Sequence, residues 1–347
     1  MSDKKRGGGA RKCLIWDLDH TVWDGILAEG DDVKLRPGVL ETVRALDQRG
    51  ILQSVASKND HAHALGKLRE LGLAEYFLAP QIHWGSKAES VRAIATALNI
   101  GVDALAFVDD QPFERDEVAF SLPEVLCLDA ADIAALLALP ALTPRFVTED
   151  ASRRRQMYLE DGVRADAEAR FDGPKDEFLA GLDLRFTVGR AQASDLQRVE
   201  ELTLRTNQLN ATGYTYSYEE LDQLRVSDDH LLLVAGLDDR YGSYGKIGVA
   251  LVERGATAWT LKLLLMSCRV MSRGVGTVML AYVMREARRA GVTLIAEFVP
   301  TDRNRQLYVL YRFTGFEERE TRGNLTLLEH ALAEPVEYPA YVTVVDA

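Results

Sequence analysis

The chain has 347 residues, 47% of them hydrophobic and 27% charged. That is too apolar for intrinsic disorder and long enough for two ordinary domains. Forty-one Lys+Arg against 53 Asp+Glu leave a net charge of −12. Nucleic acid is therefore not expected as a partner, because its binding rests on positive potential.

The cysteines are Cys13, Cys127 and Cys268, with no Cys-x-x-Cys among them. Neither a disulfide framework nor a structural zinc site is expected. No apolar run approaches the roughly 18 residues that cross a bilayer. Residues 1–10 are rich in Lys, Arg and Gly and lack the apolar segment of a secretion signal. The expectation is a cytoplasmic protein with a short flexible tail at 1–10 and no membrane partner.

Residues 11–140 alternate short apolar runs with helical patterns. Cys13-Leu14-Ile15-Trp16 is apolar without alternation, as a strand buried on both faces must be. Pro37 opens a helix that ends at Gly50, and residues 51–56 read as a second strand. Asp60 caps a helix running to Gly72. Ser86 caps another, with Val91, Ile94, Ala95 and Leu98 on one face. Residues 105–108 and 125–128 read as further strands. Strand–helix alternation of this kind predicts an α/β domain with a parallel sheet.

Residues 141–183 break the pattern with Pro144, Arg153-Arg154-Arg155 and a charge-rich stretch. They read as a connector with one or two solvent-facing helices. A second pattern fills 184–347, with strands at 184–188, 231–235, 247–252, 258–266, 292–299 and 325–328. Helices fall at 195–205, 278–289 and 303–313, with a loop over 206–216.

The chemistry concentrates in Asp17-Leu18-Asp19-His20-Thr21, directly after the first strand. Two carboxylates at the C-terminal end of a parallel strand project where α/β sheets bind ligands. One can attack phosphorus while the other protonates the leaving group. Asp109-Asp110 follows a strand at the same end, and hard oxygen ligands of this kind suit Mg²⁺. Ser57 ends the second strand and Lys87 opens a helix. A hydroxyl, an ammonium and helix amides are what a phosphate oxyanion needs.

This constellation resembles the haloacid-dehalogenase (HAD) superfamily. The resemblance implies a nucleophile at Asp17 and a general acid/base at Asp19, whose backbone carbonyl helps to bind Mg²⁺. It implies phosphate contacts from Thr21, Ser57 and Lys87, and metal binding by Asp17, Asp109 and Asp110. Between Asp24 and Ser54 a helix fills most of the chain, which leaves no room for a large cap domain.

The resemblance narrows on the run from Asp17 to Gly25, Ser57-Lys58-Asn59-Asp60 and Val108-Asp109-Asp110-Gln111-Pro112. Further along, Arg205-Thr206-Asn207-Gln208-Leu209-Asn210, Ser267-Cys268-Arg269-Val270 and Pro300-Thr301-Asp302-Arg303-Asn304 add to it. Together they resemble the FkbH-like family, glyceryl transferase/phosphatases of polyketide biosynthesis. Such enzymes load a glyceryl unit from 1,3-bisphosphoglycerate on the phosphopantetheine thiol of an acyl carrier protein. His20 stands where that family usually has Asn, and Ala56 where Cys is common.

The second domain resembles the GNAT acyltransferase fold. By that resemblance Gly274 and Gly276 open a loop that takes the pantetheine arm, with Met271 departing from the usual Gln/Arg. Arg269, Asn207, Asn210 and Asn304 are expected to line the same site. Cys268 is expected to attack the acyl phosphate, with packing as the alternative use of a free cysteine. Cys13 and Cys127 read as core. His83 is a candidate to line the first site beside Trp84, and His330 to serve Cys268 as a base. Arg153-Arg154-Arg155 and Arg285, Arg288 and Arg289 are candidate docking patches for an acidic carrier. A plain phosphatase with a structural second domain, or a carrier-binding module without turnover, remain the other readings of the residues.

Overall fold

The computed structural model describes residues 10–30, 32–206 and 209–347. The chain divides into two compact units, Met1–Leu159 and Glu160–Ala347. Among the described residues no helix is long and apolar enough to cross a membrane.

The first unit is built on a five-stranded parallel sheet. Its spatial order is Gln81–Ile82, Leu52–Ser57, Cys13–Trp16, Leu105–Asp109 and Leu126–Asp129. Cys13–Trp16 lies in the middle because both its faces are apolar. Leu14 and Trp16 enter one core with Val39, Val43, Ala64 and Leu68. Cys13 and Ile15 enter the opposite core with Val91, Ile94, Phe107 and Val118. Helices Val39–Gln48 and His61–Glu70 thus cover one face, and Lys87–Ala97 and Pro112–Ser121 the other. The helix starts follow the sequence signals: Asp60 accepts from the His63 amide, and Ser86 from the Glu89 amide.

The strand order runs outward from the central strand in both directions. The crevice of such a sheet opens at the C-terminal strand ends, beside the central strand. Among the described residues between Trp16 and Leu52 there are a short ribbon, Trp23–Asp24 with Lys34–Leu35, a 3-10 turn and one helix. No cap domain stands among them.

The second unit is an eight-stranded mixed sheet. Its order is Glu317–Arg322, Leu325–His330, Thr293–Phe298, Ala258–Met266, Gly242–Arg254, His230–Asp239, Leu184–Arg190 and Val342–Asp346. Ala258–Met266 pairs in parallel with Thr293–Phe298, and Val342–Asp346 with Leu184–Arg190; the other neighbours are antiparallel. Val275–Arg289 packs on one face of the sheet, and Leu196–Arg205 on the other.

Two expectations for the connector need correction. Arg164, in the charge-rich stretch, is fully buried rather than solvent-facing. It makes a bidentate pair with Asp239 at 2.8 and 2.9 Å, reaches Asp161 at 3.0 Å and lies 3.9 Å over the Tyr244 ring. The run Arg153-Arg154-Arg155 is not an open basic patch. Arg154 is buried and donates to the Gly50 carbonyl at 2.7 Å, and Arg155 pairs with Asp47 at 3.0 Å.

Candidate active site

Parallel pairing sets the geometry. Trp16 is in register with Val108, so the residues that follow, Asp17 and Asp109, stand side by side at the sheet's C-terminal edge. The Asp17 amide continues the ladder to the Val108 carbonyl at 2.9 Å. Both carboxylates are buried. Lys87, the first residue of its helix, places its ammonium between them, 2.7 Å from Asp17 Oδ1 and 2.5 Å from Asp109 Oδ2. Gln111 donates its amide to Asp109 Oδ1 at 2.8 Å.

Burial raises Asp17 to about 7, against the pull of Lys87 and with some help from Asp109. Burial also raises Asp109, again opposed by Lys87. Burial alone would lower Lys87, but Asp17 and Asp109 outweigh it and raise the ammonium. The triad is therefore a held cation between two carboxylates that solvent does not reach.

Carboxylate oxygens of Asp17, Asp109 and Asp110 lie within 4.8 Å of one another. This all-oxygen set is the kind that Mg²⁺ takes, and Asp110, half-exposed, leaves it an approach. Asp19 does not contribute its carboxylate to this cluster. Its Oδ1 accepts from Trp23 Nε1 at 2.7 Å and the Leu27 amide at 3.1 Å, and its Oδ2 from Asn59 at 2.9 Å.

The residues expected to contact phosphate fall out unevenly. Ser57 is buried at the strand end, 3.4 Å from Asn59 Nδ2. Thr21 does not present a free hydroxyl: it is buried and accepts from the Asp110 amide at 3.1 Å, which holds the Asp110 turn in place. Lys87 lies on the carboxylates, so any phosphate it meets must enter beside them. Asn59 was not assigned by the sequence reading. Its signal was its position, two residues beyond Ser57 at the edge that carries Asp17. His20 has φ 55, a left-handed conformation that Asn adopts more readily. His83 is turned onto its own loop, with Nδ1 accepting from the Gly85 amide at 3.0 Å.

The second group of expected residues is arranged differently. Strands Ala258–Met266 and Thr293–Phe298 pair only from Ala258 to Leu261, then part. Leu209 to Ala211 fills the gap: the Met266 amide donates to Leu209, the Ala211 amide to Leu264 and the Val299 amide to Ala211, at 3.0–3.1 Å. Asn210 accepts from the amides of Thr212 and Gly213 and donates to the Tyr214 carbonyl. Asn304 is fully buried, accepts from the Thr301 amide and donates to the carbonyls of Asn210 and Val299. Asn210 thus closes its own turn, and Asn304 fastens that segment to the end of Thr293–Phe298. Asn207 lies outside the described residues.

Cys268 is half-buried and opens the 3-10 turn Cys268–Arg273. Arg269 donates to the Tyr244 carbonyl at 2.6 Å and faces Asp161 at 3.7 Å. Gly274 caps the helix Val275–Arg289 with φ 69, and a Cβ there would collide with the Tyr341 hydroxyl. That is a structural requirement for glycine independent of any ligand. Gly276 lies inside the helix, its missing Cβ facing Leu310 at 3.4 Å. His330 is not a free base: its Nδ1 accepts from the Leu332 amide at 2.9 Å and its ring bonds to the Thr314 backbone, while burial lowers its pKa. Cys13 is buried and Cys127 half-buried.

Residues 14–114 match the haloacid dehalogenase-like hydrolase family. A segment of 136 residues is 28% identical to human magnesium-dependent phosphatase 1, covering 34% of this chain and 76% of that protein. The phosphatase-containing N-terminal part of a Bacteroides fragilis protein, solved with Mg, is 31% identical with a TM-score of 0.35. The match covers 39% of this chain and 41% of that one, less than half its length. The Escherichia coli ribosomal-protein-S18-alanine N-acetyltransferase is 18% identical with a TM-score of 0.33, over 42% of this chain and 90% of that one. The family match, residues 14–114, falls within the first unit.

Proposed function

We propose that the chain is a Mg²⁺-dependent phosphatase joined to a glyceryl transferase, acting on 1,3-bisphosphoglycerate and a phosphopantetheinylated acyl carrier protein. The observation that carries the phosphatase half is the buried Asp17 beside Asp109 and Lys87, with Asp19 fixed two residues on. Asp17, Asp109 and Asp110 would hold Mg²⁺, which supplies charge neutralisation for the phosphate and the carboxylates.

The chain's own residues do the rest. Asp17 attacks phosphorus, the ester P–O bond breaks, and the leaving oxygen takes its proton from Asp19. Water then attacks the phosphoaspartate with Asp19 as base, releasing phosphate and restoring Asp17. Lys87 holds the nucleophile in place and limits the charge gathered there.

For the transferase half, Cys268 attacks C1 of 1,3-bisphosphoglycerate, a C–S bond forms and phosphate leaves. The carrier thiol then takes the acyl group by thioester exchange. Support comes from the motif resemblance and from a half-buried thiol before a glycine-capped helix. A second reading, a phosphatase with a structural second unit, is favoured by the internal contacts of Arg269, Asn210 and Asn304. Intact-mass spectrometry decides between them. After incubation with 1,3-bisphosphoglycerate, Mg²⁺ and a carrier protein, the carrier gains a glyceryl mass if the first reading holds. Phosphate release with an unmodified carrier leaves the second.

A further inference from the structure

Three cations at the C-terminal edge of the parallel sheet are already committed. Lys87 is buried between Asp17 and Asp109. Arg36 donates to the carbonyls of His20 and Ala130 and faces Asp24 at 3.7 Å. Arg115 donates to the carbonyls of Asp109 and Asp110 and pairs with Asp129 at 2.6 Å. Lys58, the residue after the strand Leu52–Ser57, is placed differently. Among the described residues its one ion pair is with Glu114, at 2.7 Å, and its side chain is 35% exposed.

Leu52–Ser57 and Leu105–Asp109 flank Cys13–Trp16, the strand that leads into Asp17. Lys58 leaves the first of these flanking strands, and Glu114 stands in the first turn of the helix that follows the second. The ion pair therefore spans the crevice from one side of Asp17's strand to the other. The residues beside Lys58 belong to the site: Ser57 is buried, and Asn59 Nδ2 reaches Asp19 Oδ2 at 2.9 Å. Glu114 is buried, and its second oxygen has no hydrogen-bond partner among the described residues. Releasing Lys58 would leave that carboxylate unpaired in the interior, which is strongly unfavourable. The ammonium is thus held by one of its three N–H groups, with two left for another acceptor. Lys87, not Lys58, is the lysine paired with Asp17 and Asp109.

We infer that Lys58 is a specificity residue of the first unit, binding a second anionic group, carboxylate or phosphate, at the far end of the phosphomonoester. This rests on the phosphatase half of the reading above and deepens it. The crevice is lined by Asp17, Asp19, Asp109 and Asp110, so a further anion is repelled unless a cation meets it. A lysine fixed across the crevice by Glu114 offers that anion charge-assisted hydrogen bonds without the entropy of ordering a mobile side chain.

The test uses the full chain with Mg²⁺ and phosphomonoesters of one chain length that differ only at the far end: 3-hydroxypropyl phosphate, 3-phosphonooxypropanoate and propane-1,3-diyl bisphosphate. The wild type should prefer the carboxylate and the bisphosphate over the hydroxyl by roughly tenfold in kcat/KM, the scale of a charged hydrogen bond at a half-exposed site. The preference should shrink as sodium chloride is raised, because such a contact is screened. Lys58→Gln, which keeps a donor for Glu114, should bring the three esters to similar values through KM, and Lys58→Arg should keep the preference. A gain for one charged end alone supports the site and names its ligand. Equal wild-type values on all three esters, or an equal loss on all three in Lys58→Gln, overturns it. Hydrolysis of p-nitrophenyl phosphate separates the two levels. If that ester is cleaved and no preference exists, Lys58 alone is misassigned; if neither it nor the other esters are cleaved, the phosphatase reading fails as well.

Discussion

Asp17 illustrates how much one side chain's surroundings decide. Burial raises its carboxyl to about 7, so the folded chain keeps a proton there that the unfolded chain has lost. A group raised in the folded state contributes stability below its unfolded pKa and loses that contribution as pH climbs through the folded one. Metal-free protein should therefore lose stability as pH rises from about 4 through about 7, because this group gives up the proton that only the folded chain retains. Asp17→Asn, which has no proton to lose, should flatten that part of the profile. Added Mg²⁺ should stabilise the wild type more at the upper end of the window than at the lower, because it binds the ionised form. Calorimetric melting across the window checks this; identical profiles for wild type and Asp17→Asn would remove it. The residue types of this site were legible because Asp-x-Asp, Ser, Lys and Asp-Asp each fall at a strand end or helix start. The orientation of Thr21 was not, since a hydroxyl at that position can face a phosphate or the next turn with the same sequence.

At the scale of elements, what the sequence revealed depended on burial. Cys13–Trp16 was readable because both its faces enter a core. Glu317–Arg322 was not, because all six of its residues are exposed and show no apolar alternation. Val342–Asp346 was missed because none of its five residues is fully buried, unlike its partner Leu184–Arg190, whose buried positions alternate. The helix Tyr218–Val226 was also missed, although Ser217 and Glu220 form the capping box that marks its start. In the second unit, Asn304 joins elements that the sequence treated as separate loops. Its amide donates to the carbonyls of Asn210 and Val299, at 3.1 and 2.9 Å, and ties the inserted segment Leu209–Ala211 to the end of Thr293–Phe298. Asn304→Ala would leave buried carbonyls without a donor, a loss of about 2 kcal/mol. A lower urea midpoint with unchanged hydrolysis of a small phosphate ester is expected. If Asn304 instead served only as a ligand contact, the midpoint would stay where it is.

At the scale of the whole chain, the net charge of −12 and the fate of its arginines bear on any acidic partner. Arg154 and Arg155 are drawn into the first unit. Arg285, Arg288 and Arg289 line a surface cleft with Glu337, and Arg285 is held by the Val336 carbonyl.

The proposed function gives the chain two nucleophiles of different chemistry, one in each unit. An acyl phosphate is an activated carbonyl suited to a thiolate, whereas a phosphate ester requires attack at phosphorus by a carboxylate beside Mg²⁺. Cys268→Ala should then block carrier acylation and keep phosphatase activity on a simple ester. Asp17→Asn should abolish phosphate release from the ester and leave acylation intact. With Asp17→Asn the acyl group retains its C3 phosphate, so the trapped thioester is heavier than a glyceryl adduct by one phosphate group. Intact-mass spectra distinguish the adduct on Cys268 from that on the carrier. Normal loading by Cys268→Ala would sink the covalent relay, and direct attack of the carrier thiol on the acyl phosphate would take its place.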